Sequence, residues 1–373
     1  MTPPARILVV NAGSSSLKLR ILDSDDRLTG RWDLPVVAGV VDRVALARTL
    51  ADQDPPDAIG HRIVHGGRRY LGPVRLDAAV ERDLRLLIDL APLHQPKSLD
   101  ALQAVEEVYP DVPAVACFDT AFHSGMPAEA TTYALPREWR ERWDLRRYGF
   151  HGLSHAYATR RAGELLDRAP ETFRAVTCHL GAGASLAAVV NGRSVDTTMG
   201  FTPLDGLVMA TRSGSVDPGL LLWLQEHVGM PAQELAATLE HRAGLLGLAG
   251  SAEMPVILER AAGGDQAASV ALAVYVHRLR AGIAAMAAAM GGLDVLVFTG
   301  GVGEHASAVR AIAGAGLEFL GVRIDRTANE ASPVAGQADR DISAGRAPVR
   351  TLVIEAREDL QIVREVRQVL AAA

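Results

Sequence analysis

The feature that most constrains this chain is a short unit of strand, small-residue turn and strand that occurs twice. The first copy comprises an apolar run at 7–10, a turn at 11–16 and alternating residues at 17–22. The second comprises the apolar run 175–178, a turn at 179–185 and the run 186–190. Asn191-Gly192 follows, and because both residues tolerate positive φ it predicts a hairpin into a further strand at 193–196. The recurrence predicts a duplicated architecture, with one turn from each half facing a common cleft.

Helical and strand patterns alternate along the rest of the chain. Helical spacing occurs at 97–108 and 269–290, and a charged helix is predicted from Glu358 onward. Apolar strands are predicted at 114–118, 293–298 and 349–354. Such alternation predicts an α/β fold, and 373 residues suit two domains better than one.

Composition and charge indicate a globular protein that stays in the cytoplasm. Hydrophobic residues make up 49% of the chain, charged residues 22%, and the net charge of −6 provides no basic field for nucleic acid or an anionic membrane. Cys117 and Cys178 lie in apolar runs, which favours buried thiols over a disulfide framework. The N-terminus offers no secretory segment. The apolar tract at 282–298 is interrupted by Gly291, Gly292 and Asp294, so it predicts a buried helix followed by a strand.

The first turn is a candidate phosphate loop. It contains Asn11, Ser14 and Ser16 and is followed by Lys18, one of only two lysines in the chain. Its glycine spacing matches neither a Walker A loop nor a dinucleotide fingerprint. Small residues nevertheless allow backbone N–H groups to approach a phosphate closely. The alternative is an ordinary hairpin turn, which needs fewer small residues.

Polar residues cluster at several breaks in the apolar strand pattern. Arg62 stands between His61 and His65, His94 lies in a loop between two prolines, and Asp119 follows the strand at 114–118. Further along, His151 and Arg212 lie in loops that contain glycine. Arginine can clamp a carboxylate or phosphate with two parallel hydrogen bonds. Each cluster also has a structural interpretation, but their joint position at strand ends favours a ligand site. The glycine turn 300–303 is a weaker nucleotide signal of the same kind.

These segments together resemble acetate kinase, in order and with compatible spacing along nearly the whole chain. The resemblance covers the first turn, 61–67, the Asp119 loop, 148–155 and 179–185. It continues through 194–206 and 211–218 and ends with the turn 300–304. Several of these are long family signatures.

The resemblance implies two related RNase H-like domains with a central cleft, as in the acetate and sugar kinase, heat-shock cognate and actin (ASKHA) superfamily. The first would span 1–150 with the C-terminal helix 359–373, and the second 151–358. The implied activity is reversible phosphoryl transfer between ATP and acetate, giving acetyl phosphate and ADP. The family works as homodimers and requires Mg²⁺, with Mn²⁺ as an alternative.

The resemblance also implies roles for individual residues. Asn11 and Glu358 would hold the metal, Lys18 would lie near the nucleotide phosphates, and Ser14 and Ser16 would belong to the phosphate loop. Candidate catalytic residues are Asp119, His151 and Arg212, and candidate substrate-binding residues are Arg62 and His94. The nucleotide would contact three segments: His179, Leu180, Gly181, Ala182 and Gly183; Glu253, Met254 and Pro255; and Gly301, Val302, Gly303, Glu304 and His305.

Departures from the family pattern all lie on the nucleotide side. Ala182 and His305 stand where the family has asparagine, and Glu253 and Pro255 replace an aspartate and an arginine in a segment one residue shorter. GTP or diphosphate therefore stays open as the phosphoryl donor. Propionate or butyrate stays open as the acid.

Two further hypotheses are a non-catalytic nucleotide sensor and a sugar kinase. Retention of Asn11, Arg62, Asp119, His151, Arg212 and Glu358 argues against the sensor. A sugar kinase would need an aspartate base for a hydroxyl and has no use for the pair of Arg62 and Arg212.

Overall fold

The computed structural model describes residues 4–13, 16–37, 40–91, 95–332 and 338–372. Candidates Ser14 and His94 lie outside these ranges. The strands are β1 Ile7–Ala12, β2 Ser16–Leu22, β3 Leu28–Val37, β4 Val40–Val41, β5 Ala58–Ile63, β6 Val74–Arg75, β7 Ala114–Phe118, β8 Arg174–Leu180, β9 Ala184–Val190, β10 Arg193–Thr197, β11 Val295–Thr299, β12 Arg340–Asp341 and β13 Arg350–Val353.

The α-helices connect these strands and cover the sheets. They are α1 Arg43–Ala51, α2 Ala78–Leu86, α3 Gln95–Glu106, α4 Ala128–Thr131, α5 Arg137–Trp143, α6 Gly152–Leu166, α7 Pro218–His227, α8 Ala232–His241, α9 Gly244–Ala249, α10 Met254–Ala262, α11 Gln266–Ala289, α12 Gly300–His305, α13 Ser307–Ala315, α14 Arg326–Glu330 and α15 Glu358–Ala371. Short 3₁₀ turns occupy Ile88–Leu90, Ala121–His123, Pro170–Thr172 and Glu318–Leu320.

The two sheets repeat one topology. The first has the order β4-β3-β2-β1-β5-β7-β6 and the second β10-β9-β8-β11-β13-β12. In each sheet an antiparallel meander is followed by three mutually parallel strands, β1-β5-β7 or β8-β11-β13, and an antiparallel edge strand. Apart from β4, order and direction match strand for strand. The duplication predicted from the two turns is confirmed.

The hairpin between β9 and β10 has the predicted turn. Asn191 and Gly192 have φ values of 53° and 71°, the left-handed conformation that a two-residue hairpin of this type requires. The strands end and begin directly at its flanks, at Val190 and Arg193. This turn shows how a local sequence signal fixes the register of two paired strands.

The chain divides into two compact units. The first contains Met1–Ser124, Phe150–Tyr157 and Arg357–Ala373, and the second contains Gly125–Gly149 and Ala158–Ala356. The sequence placed boundaries after residues 150 and 358, whereas in this division residues 125–149 group with the second unit and 151–157 with the first. The exact domain limits drawn from the sequence stay a prediction.

Side chains alternate along the strands of the first unit, so its core has two faces. Leu8, Val10 and Ile59 pack with α1 and α3, whereas Ile7 and Val9 pack with α15 on the other face. The α15 side chains approach β5 very closely, because a Cβ on Gly60 would lie 2.4 Å from Ile362 Cγ2. The C-terminal helix thus lies directly against the strands that carry the candidate site.

The second unit is built around α11. Its buried residues recur at helical spacing, at Ala268, Ala271, Tyr275, Val276, Leu279, Ile283, Met286 and Ala287. By length and composition α11 could also cross a membrane, the single such helix among the described residues. Core helices of globular proteins meet the same criterion, and α11 contacts β8, β9, β10 and α13. The predicted helix and strand are confirmed by α11 and β11, but α11 is buried along one face only.

Candidate active site

Three polar residues of the first unit meet at the carboxyl ends of parallel strands. Asn11 is the penultimate residue of β1, Arg62 is the penultimate residue of β5, and Asp119 directly follows β7. Residues two apart on a strand point to the same face. Asn11 therefore shares a face with Ile7 and Val9, and Asp119 with Cys117, which is the face that α15 covers. Glu358 is the first residue of α15. Four separate segments therefore converge on one point.

Arg62 is the centre of this cluster. Its Nε donates to Asp119 Oδ1 at 3.0 Å, and Nη2 donates to Asp119 Oδ2 at 2.6 Å. Nη1 donates to Asn11 Oδ1 at 3.0 Å, and Asn11 Nδ2 donates to Glu358 Oε2 at 2.8 Å. The Arg62 side chain is 14% exposed, Glu358 15% and Asp119 1%. A fork-to-fork pair of this geometry fixes the guanidinium plane.

Charge and burial oppose each other in the cluster. Burial lowers the pKa of Arg62, but Asp119 and Glu358 outweigh it, so its pKa lies above the usual value and it stays protonated. Burial raises the pKa of Asp119, Arg62 lowers it, and Glu358 raises it again. With two carboxylates around one guanidinium, the cluster carries an excess of negative charge when all three groups are ionised. It can attract a cation while still presenting arginine N–H groups to an anion.

Two further candidates of the first unit, Lys18 and Ser16, lie near Asn11. Lys18 is exposed and pairs with Asn11 directly across β1 and β2. Side chains in such a pair are neighbours, with Cβ atoms about 5 Å apart. In the turn that joins the two strands, Gly13 N–H donates to the carbonyl of Ser16 at 2.9 Å. The structure therefore brings Lys18 and Ser16 near the metal candidate Asn11.

His151 is held by backbone contacts to the Asp119 loop. It has a φ of 58°, which is uncommon for a residue with a side chain and often marks functional sites. The next residue, Gly152, donates its N–H to the Asp119 carbonyl at 2.8 Å, and a Cβ there would come within 2.3 Å of that oxygen. Glycine at this position allows the chain to bring His151 close to Asp119.

In the second unit, the glycine turn after β8 adjoins the helix α12, which follows β11. These strands are parallel, and Thr299 pairs with His179. Gly181 N–H donates to the Gly183 carbonyl at 2.9 Å, as Gly13 does to Ser16 in the first unit. Gly300, with φ of 78°, approaches β8 so closely that a Cβ would lie 2.8 Å from the Leu180 carbonyl. The candidate segments 179–183 and 301–305 are therefore neighbours.

Arg310 anchors α12, and sequence reasoning missed it. Its Nη1 donates to the carbonyls of Gly303 and Glu304, both at 2.8 Å. Nε and Nη2 donate to Asn329 Oδ1 and its carbonyl at 2.7 and 2.8 Å. The residue is 1% exposed, and burial lowers its pKa to about 10. An arginine inside a helical pattern carries no local signal of such a role.

Arg212 lies in a loop of the second unit that is fixed from several sides. Its Nη1 donates to the Pro203 carbonyl at 3.0 Å, and its Nε lies 3.4 Å from Glu240 Oε2. A Cβ on Gly244 would overlap the carbonyls of Met209 and Arg212. The loop carrying Arg212 is consequently packed tightly against the start of α9.

The segment 253–255 has a different character. Glu253 is exposed and precedes α10, and Pro255 is exposed in its first turn. Met254 is 2% exposed, so its side chain belongs to the core of the second unit. Of these three candidates, Glu253 and Pro255 present side chains to solvent.

A buried acid under the Arg62 cluster also escaped the sequence analysis. Glu365 lies two helical turns beyond Glu358 on α15, and its Oε1 accepts from Gln361 Nε2 at 3.1 Å. Its Oε2 is buried without a hydrogen-bond partner among the described residues. Burial raises the pKa of Glu365 to about 7, the Gln361 and Cys117 side chains lower it, and the charge of Asp119 raises it.

The model of the acetokinase family matches residues 35–364. The chain is 43% identical over 389 residues to the acetate kinase of Clavibacter michiganensis subsp. michiganensis (strain NCPPB 382), which covers 96% of this chain and 98% of that protein. The chain belongs to the acetokinase family.

Two solved structures resemble this acetokinase-family chain over nearly its full length. The crystal structure of Porphyromonas gingivalis acetate kinase has a TM-score of 0.89 at 34% identity and covers 98% of this chain and 100% of that one. That of a propionate kinase from Francisella tularensis subsp. tularensis SCHU S4 has a TM-score of 0.90 at 33% identity and covers 98% and 99%. The α/β kinase fold expected from the resemblance is confirmed.

Replacing Glu365 with Gln should remove a pH-dependent loss of stability. In the unfolded chain a glutamate releases its proton near its ordinary pKa, whereas folded Glu365 keeps it to about pH 7. The native state therefore binds more protons in this interval, and stability falls as the pH rises through it, by up to about 3 kcal/mol. Urea unfolding at pH 5 and pH 8 should show that the variant loses less stability at pH 8 than the native chain does.

The exposed Glu318 provides the matched control for that experiment. Glu318→Gln should leave the difference between the two pH values as it is in the native chain. An equal pH response of Glu365→Gln and Glu318→Gln would contradict the assignment of a protonated, buried Glu365.

Proposed function

We propose that this chain catalyses reversible phosphoryl transfer between ATP and acetate, giving acetyl phosphate and ADP. The observation that carries the proposal is the Arg62 cluster, with its fixed guanidinium between two carboxylates, in a member of the acetokinase family. The family implies a nucleotide and a short carboxylate as substrates. Acetate as the preferred acid and ATP as the donor are the finer parts of the proposal.

The chemistry needs positioning more than it needs a base. A small carboxylic acid has a pKa near 4–5, like a glutamate side chain of about 4.3, so it is ionised and nucleophilic at neutral pH. The difficulty is the approach of one anion to another and the charge that develops on the equatorial phosphoryl oxygens. Fixed cationic donors lower both costs because they need no reorganisation during the reaction. We therefore propose direct in-line transfer, without a covalent phospho-enzyme.

Arg62 is assigned to the substrate carboxylate. Of its five N–H groups, three donate to Asp119 and Asn11 within the described residues, which leaves two for a ligand. Asp119 fixes the plane of the guanidinium and favours its protonated form. His94 is assigned to the same substrate on the resemblance alone. His151 and Arg212 are assigned to the transferring phosphoryl group.

The donor atoms of the cluster fit Mg²⁺, with Mn²⁺ as the alternative. Asn11, Glu358 and Asp119 supply carboxylate and amide oxygens, which are the ligands that these hard cations prefer. Among the described residues no group of three or more His, Cys, Asp or Glu side chains could hold a metal alone. That agrees with Mg²⁺, which usually takes one or two carboxylates and completes its shell with water and substrate phosphates. Asn11 and Glu358 would hold it, and Asp119 would organise its waters; the ion would neutralise phosphate charge.

The nucleotide is assigned to the glycine turns and to the first hairpin. The segments 179–183 and 301–305 offer closely packed backbone N–H groups and adjoin through β8 and β11. Lys18, Ser14 and Ser16 are assigned to the phosphates. The side chains of Ala182, Glu253, Pro255 and His305 are assigned to the choice of nucleotide, because they differ from the family pattern.

Propionate is the second candidate acid. The propionate kinase structure is as similar to this chain as the acetate kinase structure, with TM-scores of 0.90 and 0.89. One methylene in an apolar pocket changes discrimination by only about 10- to 200-fold. The fold therefore does not separate the two acids, and an assay must.

A single assay tests the proposed reaction. Acyl phosphate trapped as hydroxamate is measured with formate, acetate, propionate and butyrate, each with ATP, GTP or diphosphate. We expect the highest kcat/KM with acetate and ATP, loss of activity on chelation of divalent metal, and recovery with Mg²⁺. Absence of acyl phosphate with every acid would refute the proposal, and a higher value with propionate would reassign the substrate.

The two arginines should differ in their kinetic effect. Arg62→Ala should mainly raise KM for the acid, because it removes a contact made in the ground state, whereas Arg212→Ala should mainly lower kcat. Arg62→Ala also leaves Asp119 buried and unpaired, which costs about 3–5 kcal/mol in stability. Arg62→Lys is therefore measured beside it, because it keeps the positive charge. The exposed Arg326→Ala is the control and should leave both constants unchanged. The reverse pattern would contradict these roles.

We also propose that the chain forms a homodimer through α7. The resemblance implies a homodimer, and α7 has no buried residue although its sequence is strongly apolar. Leu220, Leu222 and Trp223 are 48%, 56% and 51% exposed. Apolar residues exposed together on one helix are typical of a surface that a partner covers. A second copy of the chain is the assigned occupant.

Light scattering after gel filtration tests the dimer. The native chain should elute with twice the mass of one chain, and Leu222→Asp should reduce that mass to one chain. Leu86→Asp, at a 79% exposed leucine of the first unit, is the matched control and should stay dimeric. A native chain that elutes as a monomer at micromolar concentration would contradict the proposal.

A cytoplasmic location is the last part of the proposal. It is supported by the composition of the chain and by its family. Cell fractionation should recover the kinase activity in the fraction that contains neither membranes nor secreted protein.

A further inference from the structure

Glu304 belongs to a segment assigned to the nucleotide, yet its side chain has a partner elsewhere in the second unit. Its Oε1 accepts a hydrogen bond from the backbone N–H of Ala356 at 2.9 Å. A carboxylate that faced nucleotide phosphates would repel them, because like charges a few ångströms apart disfavour each other. The bond to Ala356 therefore indicates that this acid acts on the protein backbone.

The Glu304 carboxylate joins two points of the backbone. Burial raises its pKa, whereas the N–H groups of Ala356 and Gly300 and the charge of His305 lower it. Gly300 is the first residue of α12, and Ala356 lies just beyond β13. One side chain thus ties the start of a helix to the chain that leaves the neighbouring strand.

The backbone of α12 holds this side chain in place from the opposite side. Arg310 Nη1 donates to the carbonyls of Gly303 and Glu304, both at 2.8 Å. Arg310 is itself bonded to Asn329 of α14 through Nε and Nη2. The Glu304 carboxylate consequently reaches Ala356 from a helix that is fixed at its own carbonyls.

Ala356 is the residue at which the chain leaves the second unit. The N–H of Ile354 still donates to a carbonyl of β11 at 2.9 Å. The next two N–H groups donate to side-chain carboxylates, that of Glu355 to Asp339 Oδ1 at 2.8 Å and that of Ala356 to Glu304. The position of the chain beyond the sheet is therefore set by these two acids.

Glu358, which is assigned to the metal, follows almost at once. Arg357 begins the last segment of the first unit, and Glu358 is the first residue of α15. A single residue separates the anchored Ala356 from Glu358, and consecutive Cα atoms are only about 3.8 Å apart. An anchor at Ala356 therefore restricts where Glu358 can lie, and Glu358 Oε2 in turn accepts from Asn11 Nδ2 at 2.8 Å.

We propose that Glu304 is a positioning residue for Glu358. Its carboxylate holds the Ala356 N–H and thereby sets where α15 begins, so that the Glu358 side chain meets Asn11. The inference rests on the proposed function, which assigns the metal to Asn11 and Glu358. The Glu304 side chain serves the metal site through the backbone and makes no contact with the nucleotide.

Hydrogen exchange of the full-length chain tests the contact. Glu304→Ala removes the acceptor of the Ala356 N–H, so amides in 355–360 should exchange at least tenfold faster. Glu304→Gln keeps an acceptor oxygen at the same reach and should stay within threefold of the native chain. Glu304→Asp keeps the charge but is one methylene shorter, and it should exchange like the alanine variant. The reverse order of the Gln and Asp variants would overturn the proposal.

Calorimetric titration with ADP tests the role. The native chain should bind MgADP more tightly than it binds ADP in EDTA. Glu304→Ala should bind MgADP about tenfold more weakly, as expected for the loss of one charge-assisted hydrogen bond, and metal-free ADP within twofold of the native chain. Equal weakening of both forms would indicate a direct nucleotide contact and overturn the proposal. Should Glu304→Ala fail to fold, the Gln and Asp variants decide by the same comparison.

Asp77→Ala is the matched control. The Asp77 carboxylate also accepts from backbone N–H groups, those of Ala79 and Val80 at 2.8 Å, at the start of α2. Its loss should change neither the exchange at 355–360 nor the two ADP affinities.

The titration needs no turnover, so it is separable from the test of the reaction. Absence of acyl phosphate in the hydroxamate assay would refute the proposed function. Acyl phosphate from the native chain, together with unchanged MgADP binding by Glu304→Ala, would overturn the positioning role alone.

Discussion

The paired charges of Arg62 and Asp119 are the interaction on which the first unit depends. Both lie out of water, and burying an ion pair is favourable only when its geometry is good and its remaining donors are satisfied. Here the fork of Arg62 faces both carboxylate oxygens, and Asn11 takes a further N–H. Asn11 in turn bonds Glu358, which is 347 positions away in sequence. The pair is thus complete only when the first strand and the last helix have both docked.

The second unit ends its equivalent strands in another way. Gly300 follows β11, the counterpart of β5, and the backbone there packs closely against the end of β8. Its buried cation, Arg310, donates to carbonyl oxygens and to Asn329, and no carboxylate of the described residues pairs with it. One topology therefore supports two arrangements: a cluster of paired charges in the first unit, and closely packed backbone groups in the second.

The sequence predicted the features that have a local signal. The two strand–turn–strand units, the Asn191-Gly192 hairpin and the residues at strand ends all follow from short patterns, and the structure contains them. The pairing of Arg62 with Asp119 could not be predicted, because it depends on the parallel register of β5 with β7. Arg310 and Glu365 were missed because a buried polar residue inside a helix looks like any other in sequence. The role of Arg310 depends in part on Asn329, which is 19 positions away.

Side chains alternate between the two faces of β5, so the positions of His61 and Arg62 cannot change independently. His61 and Arg62 face opposite sides of one sheet, and Val10 and Ala116 pair with His61 on the flanking strands. A shift of one residue in this register would exchange the two faces. Arg62 would then enter the apolar layer under α3, and His61 would face Asp119. In the shifted register Arg62 would be an unpaired charge on one face and Asp119 an unpaired charge on the other. The register of β5 is therefore fixed by electrostatics as well as by packing. The same constraint holds Arg62 in the plane that the Asp119 carboxylate defines.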